Sequence, residues 1–192
     1  MKIGKQPKMS KTLPDLIETE RLELRPFTLH DLAAVYDYSL SDPDWPRFQG
    51  LPSPYTLKHV EEFVLKLIEQ DAVRPARALV LAGKVVGIVN LKSESDWRIA
   101  VIGYGVHKKH WGAGLASEAV CAVLAKAFAV FPQLHKVSAR TDARNARSIR
   151  VLEHAGFQRE GTVRANQFVN GEFIDGAHFG ILREEWFNRH ST

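Results

Sequence analysis

Midway along the chain an alternating apolar run ends at Val106. It is followed by His107-Lys108-Lys109-His110-Trp111-Gly112-Ala113-Gly114, and then by a mostly apolar helical pattern that Pro132 closes. No other stretch constrains the fold as strongly. A strand must hand over to a helix across a turn that holds two glycines, two lysines and two histidines. Helix N-termini leave N–H groups unpaired and carry partial positive charge. Glycine lets an anion approach the backbone there. The stretch therefore suits a phosphate group, and it suits equally a glycine-eased turn with solvated lysines.

Two phosphate motifs fit poorly. A P-loop needs a lysine and a hydroxyl residue after its last glycine, whereas Leu115-Ala116 follow here. Gly112 to Ser117 imitates half of a dinucleotide fingerprint. That fingerprint opens directly off its strand and has an acidic residue about 20 positions on. Here His107 to Trp111 intervene and Asp142 comes too late.

The rest of the chain reads as one domain of 192 residues. Residues 1–17 read as a flexible basic leader, with the domain over 18–192. Residues 20–27 alternate as a first strand closed by Pro26. Thr28 is an N-cap for a helix, with Asp31 at the capping-box position. Residues 41–54 hold four prolines and a glycine and read as loop. Residues 55–70 form an amphipathic helix with Val60, Phe63, Val64 and Leu67 on one face. Gly83-Lys84 joins two apolar runs as a hairpin.

After the helix over roughly 114–131 come a strand at 135–141 and a helix that starts near Asn145 and ends at Gly156. The last strands turn at Asn170-Gly171. A meander, then strand–helix–strand–helix, then a hairpin predicts an α/β (α+β) domain with a mixed sheet.

Charge argues against a nucleic-acid partner. The net +4 comes from 26 basic against 22 acidic side chains, but Lys2, Lys5, Lys8 and Lys11 precede every acidic residue. Without those four the body carries 22 against 22 and is neutral, so no basic face is expected. No run reaches the roughly 18 apolar residues of a membrane span, and no secretory signal is evident. The expectation is a cytoplasmic protein. The single cysteine, Cys121, reads as a buried small hydrophobe. His107 and His110 read as solvated loop histidines, and no metal site is expected.

Several motifs in order then carry a resemblance. The stretch from Ile102 to Val120 resembles the acyl-CoA motif Q/R-x-x-G-x-G/A of the GNAT N-acyltransferase superfamily, read here as Lys109-His110-Trp111-Gly112-Ala113-Gly114. Asn145 to Phe157 resembles the second CoA motif, N-x-x-S with a helix ending in Gly-Phe. The opening Glu20 to Leu32 and the late Arg159 to Trp186 resemble the branch of ribosomal-protein N-terminal acetyltransferases. The match spans roughly residues 18–187.

The resemblance implies a GNAT fold, with a mostly antiparallel sheet splayed at the cofactor. It implies acetyl-CoA as cofactor and a primary amine as partner, a peptide N-terminus or a small amine, in a monomer or homodimer. Val106 N–H and C=O face the pantetheine arm, and the N–H is the donor to the thioester oxygen. The pyrophosphate rests on backbone from Lys109, His110, Trp111, Gly112, Ala113, Gly114, Leu115 and Ala116. Asn145 and Ser148 also contact cofactor.

The position where many relatives carry a catalytic tyrosine is Leu152, so Ser148 is the remaining hydroxyl, able to donate to the thiol or to position it. Some members carry a glutamate where Gln167 stands. Glu94 is then the candidate base, with Asp96, Glu160 and an ordered water as alternatives. Trp45, Phe48 and Tyr55 either wall the acceptor pocket or anchor their loop. The vacant tyrosine position and Gln167 also allow a non-catalytic acyl-CoA-binding module.

Overall fold

The computed structural model describes residues 12–41, 56–70, 75–94, 96–169 and 171–191. Eight strands form one sheet: β1 (Ile17–Glu18), β2 (Glu23–Arg25), β3 (Ala76–Leu81), β4 (Lys84–Glu94), β5 (Ile99–Val106), β6 (Lys136–Asp142), β7 (Gln158–Val169) and β8 (Glu172–Leu182). Their order is β1-β2-β3-β4-β5-β6-β8-β7. Every neighbouring pair is antiparallel except β5–β6, which is parallel.

That parallel pair positions the site. Ile99, Ala100 and Val101 pair with Lys136, Val137 and Ser138, and no pairing follows. β5 runs on to Val106 beside β4, while β6 runs on to Asp142 beside β8. The sheet is therefore split from Ile102 upward, with a strand on each side still held from behind.

Helices cover both faces. On one lie α1 (Leu32–Ser41) and α2 (Leu57–Glu69), whose Val35, Tyr38, Val60, Val64 and Leu67 pack on Ala78, Val80 and Ile88. The i, i+4, i+7 spacing in α2 is what makes that stripe continuous, and each buried apolar side chain contributes roughly 1.5–3 kcal/mol. On the other face lie α3 (Leu115–Val130), α4 (Ala146–His154) and α5 (Arg183–His190). Ala119, Val123, Ala127, Phe128, Leu152 and Trp186 fill the space over Leu91, Ala100, Ile102 and Val137. At the far end of α3, Trp97 in the β4–β5 turn stacks on Phe131, with centroids 3.9 Å apart.

Several expectations need correction. The leader is shorter than 17 residues: Leu13 and Ile17 are buried in the core, Ile17 pairs with Leu24, and Arg77 donates to the carbonyls of Leu13 and Pro14. The hairpin expected at Gly83-Lys84 turns at Ala82-Gly83, because Leu81 pairs with Lys84 and both turn residues have positive φ, 48° and 76°. The last strand ends at Leu182, and α5 follows; Glu185 accepts from the Leu182 N–H at 2.8 Å and caps its start.

The Thr28 start holds, since Asp31 accepts from the Thr28 N–H at 2.8 Å. It opens as a 3₁₀ turn before α1. Asp31 is also held by both Arg25 terminal nitrogens at 2.8 Å. Trp45, Phe48, Tyr55 and Asn170 lie outside the described residues.

Candidate active site

The split opens into a cleft of about 680 Å³ lined by β4, β5, β6, the glycine turn, α4 and the β7–β8 hairpin. Local backbone geometry builds its mouth. Gly112 and Gly114 have φ of 78° and 79°, where a side chain is strained. Nothing lies within 4 Å of where a Gly112 side chain would be. Gly114 caps α3, so the first N–H groups of that helix have no partner within it.

Fewer amides of this turn are open than the sequence suggests. The Lys109 N–H donates to His107 Nδ1 at 3.1 Å. Those of His110 and Trp111 go to the carbonyls of His107 and Lys108 at 2.8 and 3.1 Å. These three amides are spent on a 3₁₀ turn, Lys108–His110. Among the described residues, the amides without a hydrogen-bond partner begin at Gly112 and run through Ala113, Gly114, Leu115 and Ala116.

His107 is accordingly not a solvated loop residue. It is 6% exposed, and its Nε2 stands 3.4 Å from Asp37 Oδ2. Because Nδ1 accepts from Lys109, the neutral ring carries its proton on Nε2, toward Asp37. His110 is half-buried and lines the cleft.

Arg21 braces the mouth. It donates to the Ala113 carbonyl at 2.7 Å, and its Nε and backbone N–H reach Glu118 at 2.7 and 2.9 Å. Thr19 adds a hydroxyl to Glu118 at 2.6 Å. Burial works to raise the Glu118 pKa, but these bonds outweigh it and hold the carboxyl below its usual range. The only acidic side chain in the first turn of α3 is thereby matched by a guanidinium.

Trp111 closes the end of β5. Its indole N–H donates to the Val106 carbonyl at 2.7 Å, and Arg147 lies over its ring at 3.9 Å. The Val106 carbonyl, expected to be open beside its N–H, is instead taken by Trp111. His107 N–H pairs back to Val86 at 2.7 Å, so strand alternation turns the N–H groups of Val106 and Tyr104 toward the split.

On the cleft wall, Tyr104 supplies a hydroxyl that sequence reading missed. Its Oη lies 2.8 Å from Ser148 Oγ and donates to the Ser148 carbonyl at 3.0 Å. Burial pushes its pKa up to about 12, with the Ser148 contact opposing. Asn145 is a cap: its Oδ1 accepts from the Ser148 N–H at 3.0 Å. Leu152 is buried in the core.

The proposed carboxylates are elsewhere. Glu94 pairs with Ile99 and Gly87 pairs with Val106, so Glu94 stands seven residues, about 24 Å, down the strand from the level of Val106. Asp96 follows it in the turn, and Glu160 is bonded to Lys136 at 2.6 Å. None of the three lines the cleft, while Gln167 does. Cys121 is half-buried, and burial pushes its thiol up. Among the described residues no cluster could hold a metal ion, and no helix is long and apolar enough to cross a membrane.

Comparison with known proteins adds a lineage. Residues 21–158 match the acetyltransferase (GNAT) domain family. The chain is 30% identical over 179 residues to the N-acetyltransferase p20 of Bacillus licheniformis, covering 90% of this chain and 98% of that one. A GNAT acetyltransferase structure from Bacillus anthracis superposes with a TM-score of 0.77 at 29% identity, over 88% of this chain and 99% of that one. RimL, a ribosomal L7/L12 α-N-protein acetyltransferase solved with coenzyme A, has a TM-score of 0.77 over 87% of this chain and 97% of its own. At 18% identity it shares the fold.

Proposed function

The chain belongs to the GNAT acetyltransferase family, and on that premise we propose that it moves an acetyl group from acetyl-CoA to a primary amine by direct attack within a ternary complex. The single observation that carries this reading is the split between β5 and β6. It runs from the open amides at Gly112 to Ala116 down to the hydroxyl pair of Tyr104 and Ser148.

The residues fit the cofactor. Open amides at a helix start suit a diphosphate, and the bare space at Gly112 lets it approach. Bound there, acetyl-CoA supplies an activated acyl group with a thiol as leaving group. Val106 N–H, with Tyr104 N–H one register below, donates to the oxygen on which charge gathers during attack. Trp111 holds the end of β5 so that this donor is fixed before the reaction begins.

Proton demand selects the amine. An α-amino group has a pKa near ~8, so roughly one molecule in ten is neutral at pH 7. A lysine near ~10.4 is neutral in fewer than about one molecule in a thousand. With Glu94, Asp96 and Glu160 away from the cleft, a peptide N-terminus is the better acceptor, its proton leaving through water. The departing thiol, with a pKa of about 8.5 by analogy with cysteine, takes up one proton as the amine loses one. Tyr104, at about 12, is too weak an acid to surrender its proton fully. It and Ser148 hydrogen-bond and orient the sulfur.

The test is to incubate the protein with acetyl-CoA and an amine panel of peptides, polyamines and aminoglycosides. Free thiol release should match acetylated product by mass. Binding of acetyl-CoA with no product from any amine would instead identify a non-catalytic acyl-CoA-binding module.

A further inference from the structure

Asn90 is 9% exposed on β4, yet its carboxamide has no hydrogen-bond partner among the described residues. Buried amides are normally paired. Asn90 stands opposite Gly103, and a methyl group there would lie 3.1 Å from Asn90 Nδ2 and 3.4 Å from Oδ1. The carboxamide therefore lies along bare β5 backbone and lines the cleft.

Ile88 and Gly105 are the next pair up on the same face. Ile88 packs with Val35 and Tyr38, so this is the α1 side of the sheet. Tyr104, between the two glycines, alternates to the α4 side, where Ser148 waits.

Two cations share the α1 side. Lys92 pairs with Val101, two residues below Asn90. Val101 is level with Ser138 across a parallel pair, so Arg140 is level with Gly103 on the opposite bank of the split. Ala139 is in the core of the α3 face, which turns Arg140 to the α1 side. Lys92 and Arg140 are exposed, line the cleft, and have no ion-pair partner among the described residues.

The carboxylates of the cleft do not cancel them. Asp142 is held by Arg144 at 2.9 Å. Asp175 accepts from the Ala165 N–H at 2.9 Å and alternates, with Ala177 and Phe179, to the other face.

Resting on the acetyl-transfer reading, we propose that this trough is the acceptor subsite. In it Asn90 receives the amine, and Lys92 and Arg140 bind a carboxylate carried a little further along. Two strand residues span about 7 Å. An extended peptide places its second or third side chain at a similar distance from its α-amine. The substrate class is a peptide N-terminus followed by Asp or Glu. A polyamine would meet two unpaired cations, and that repulsion rejects it.

The test uses the whole protein with saturating acetyl-CoA and three amines: a pentapeptide amide beginning Ser-Asp-Glu, one beginning Ser-Lys-Lys, and spermidine. The acidic peptide should exceed the basic one about tenfold in kcat/KM. Asn90→Ala, and independently Gly103→Ala, should raise the acidic peptide's KM about tenfold and leave the acetyl-CoA KM within about twofold. Lys92→Glu combined with Arg140→Glu should reverse the peptide preference.

Equal peptide rates, a preference for spermidine, or an unmoved peptide KM in both Asn90→Ala and Gly103→Ala overturns the subsite and leaves acetyl transfer standing. Bound acetyl-CoA with no thiol release from any amine overturns both.

Discussion

The Tyr104 hydroxyl stands 2.8 Å from Ser148 Oγ, joining the end of β5 to the first turn of α4 across the cleft wall. The pair works as a unit, so its losses should not add. Tyr104→Phe should lower kcat by roughly 10–100-fold while moving the acetyl-CoA KM little. Ser148→Ala should cost less, and the double variant no more than the tyrosine change alone. Steady-state rates of thiol release check this, and unaltered turnover in Tyr104→Phe removes the pair from the chemistry.

The same tyrosine sets an alkaline dependence. Its pKa is pushed up to about 12 from 10.0. Below pH 10 the folded and unfolded chains both hold the proton. Between pH 10 and 12 the unfolded chain releases it and the folded chain keeps it, so stability falls as pH rises, by up to about 3 kcal/mol. Denaturant melts across that window should show a steeper loss in the wild type than in Tyr104→Phe. Parallel curves would mean the hydroxyl is not buried.

Much of this was legible in the sequence, for reasons that differ from residue to residue. Gly112, Gly114 and the apolar run before them could be read because positive φ and helix starts are local demands. The Thr28–Asp31 box and the Asn145 cap are equally local. Tyr104 lay unread between Gly103 and Gly105, because alternation says which face a residue takes but not what stands across the gap. Arg21 carries no signal at all, its partners Ala113 and Glu118 lying more than ninety positions away. Glu94 misled because nearness to the central strand in sequence is not nearness to its open end.

The brace at the mouth gives an acid-side outcome. Glu118 accepts from Thr19 and from the Arg21 backbone and side chain, and these bonds hold its carboxyl below the usual range despite burial. Its contribution is present above the unfolded carboxylate value and is lost as pH falls through the folded one. Glu118→Gln should lower Tm by about 2–4 °C per kcal/mol lost at pH 7. The gap to wild type should close toward pH 3. A gap unchanged with pH would contradict the ionised brace.

Trp111 makes a separable contribution through its indole N–H on the Val106 carbonyl. Trp111→Phe keeps a ring for Arg147 to stack on but removes the donor. The acetyl-CoA Kd should weaken by roughly 3–10-fold, the value of one hydrogen bond. Trp111→Ala, which also loses the stacking, should weaken it further. Wild-type affinity in Trp111→Phe would mean the indole N–H does nothing for the strand end.

If the open amides from Gly112 to Ala116 hold the diphosphate of acetyl-CoA, calorimetric titration of acetyl-CoA into wild type and Gly112→Asp will separate the two proteins. A carboxylate in that open space faces the anion, and φ of 78° strains any side chain there. Affinity should fall by about 100-fold or more with circular dichroism unchanged. Equal affinity for the two proteins would contradict that role for the amides.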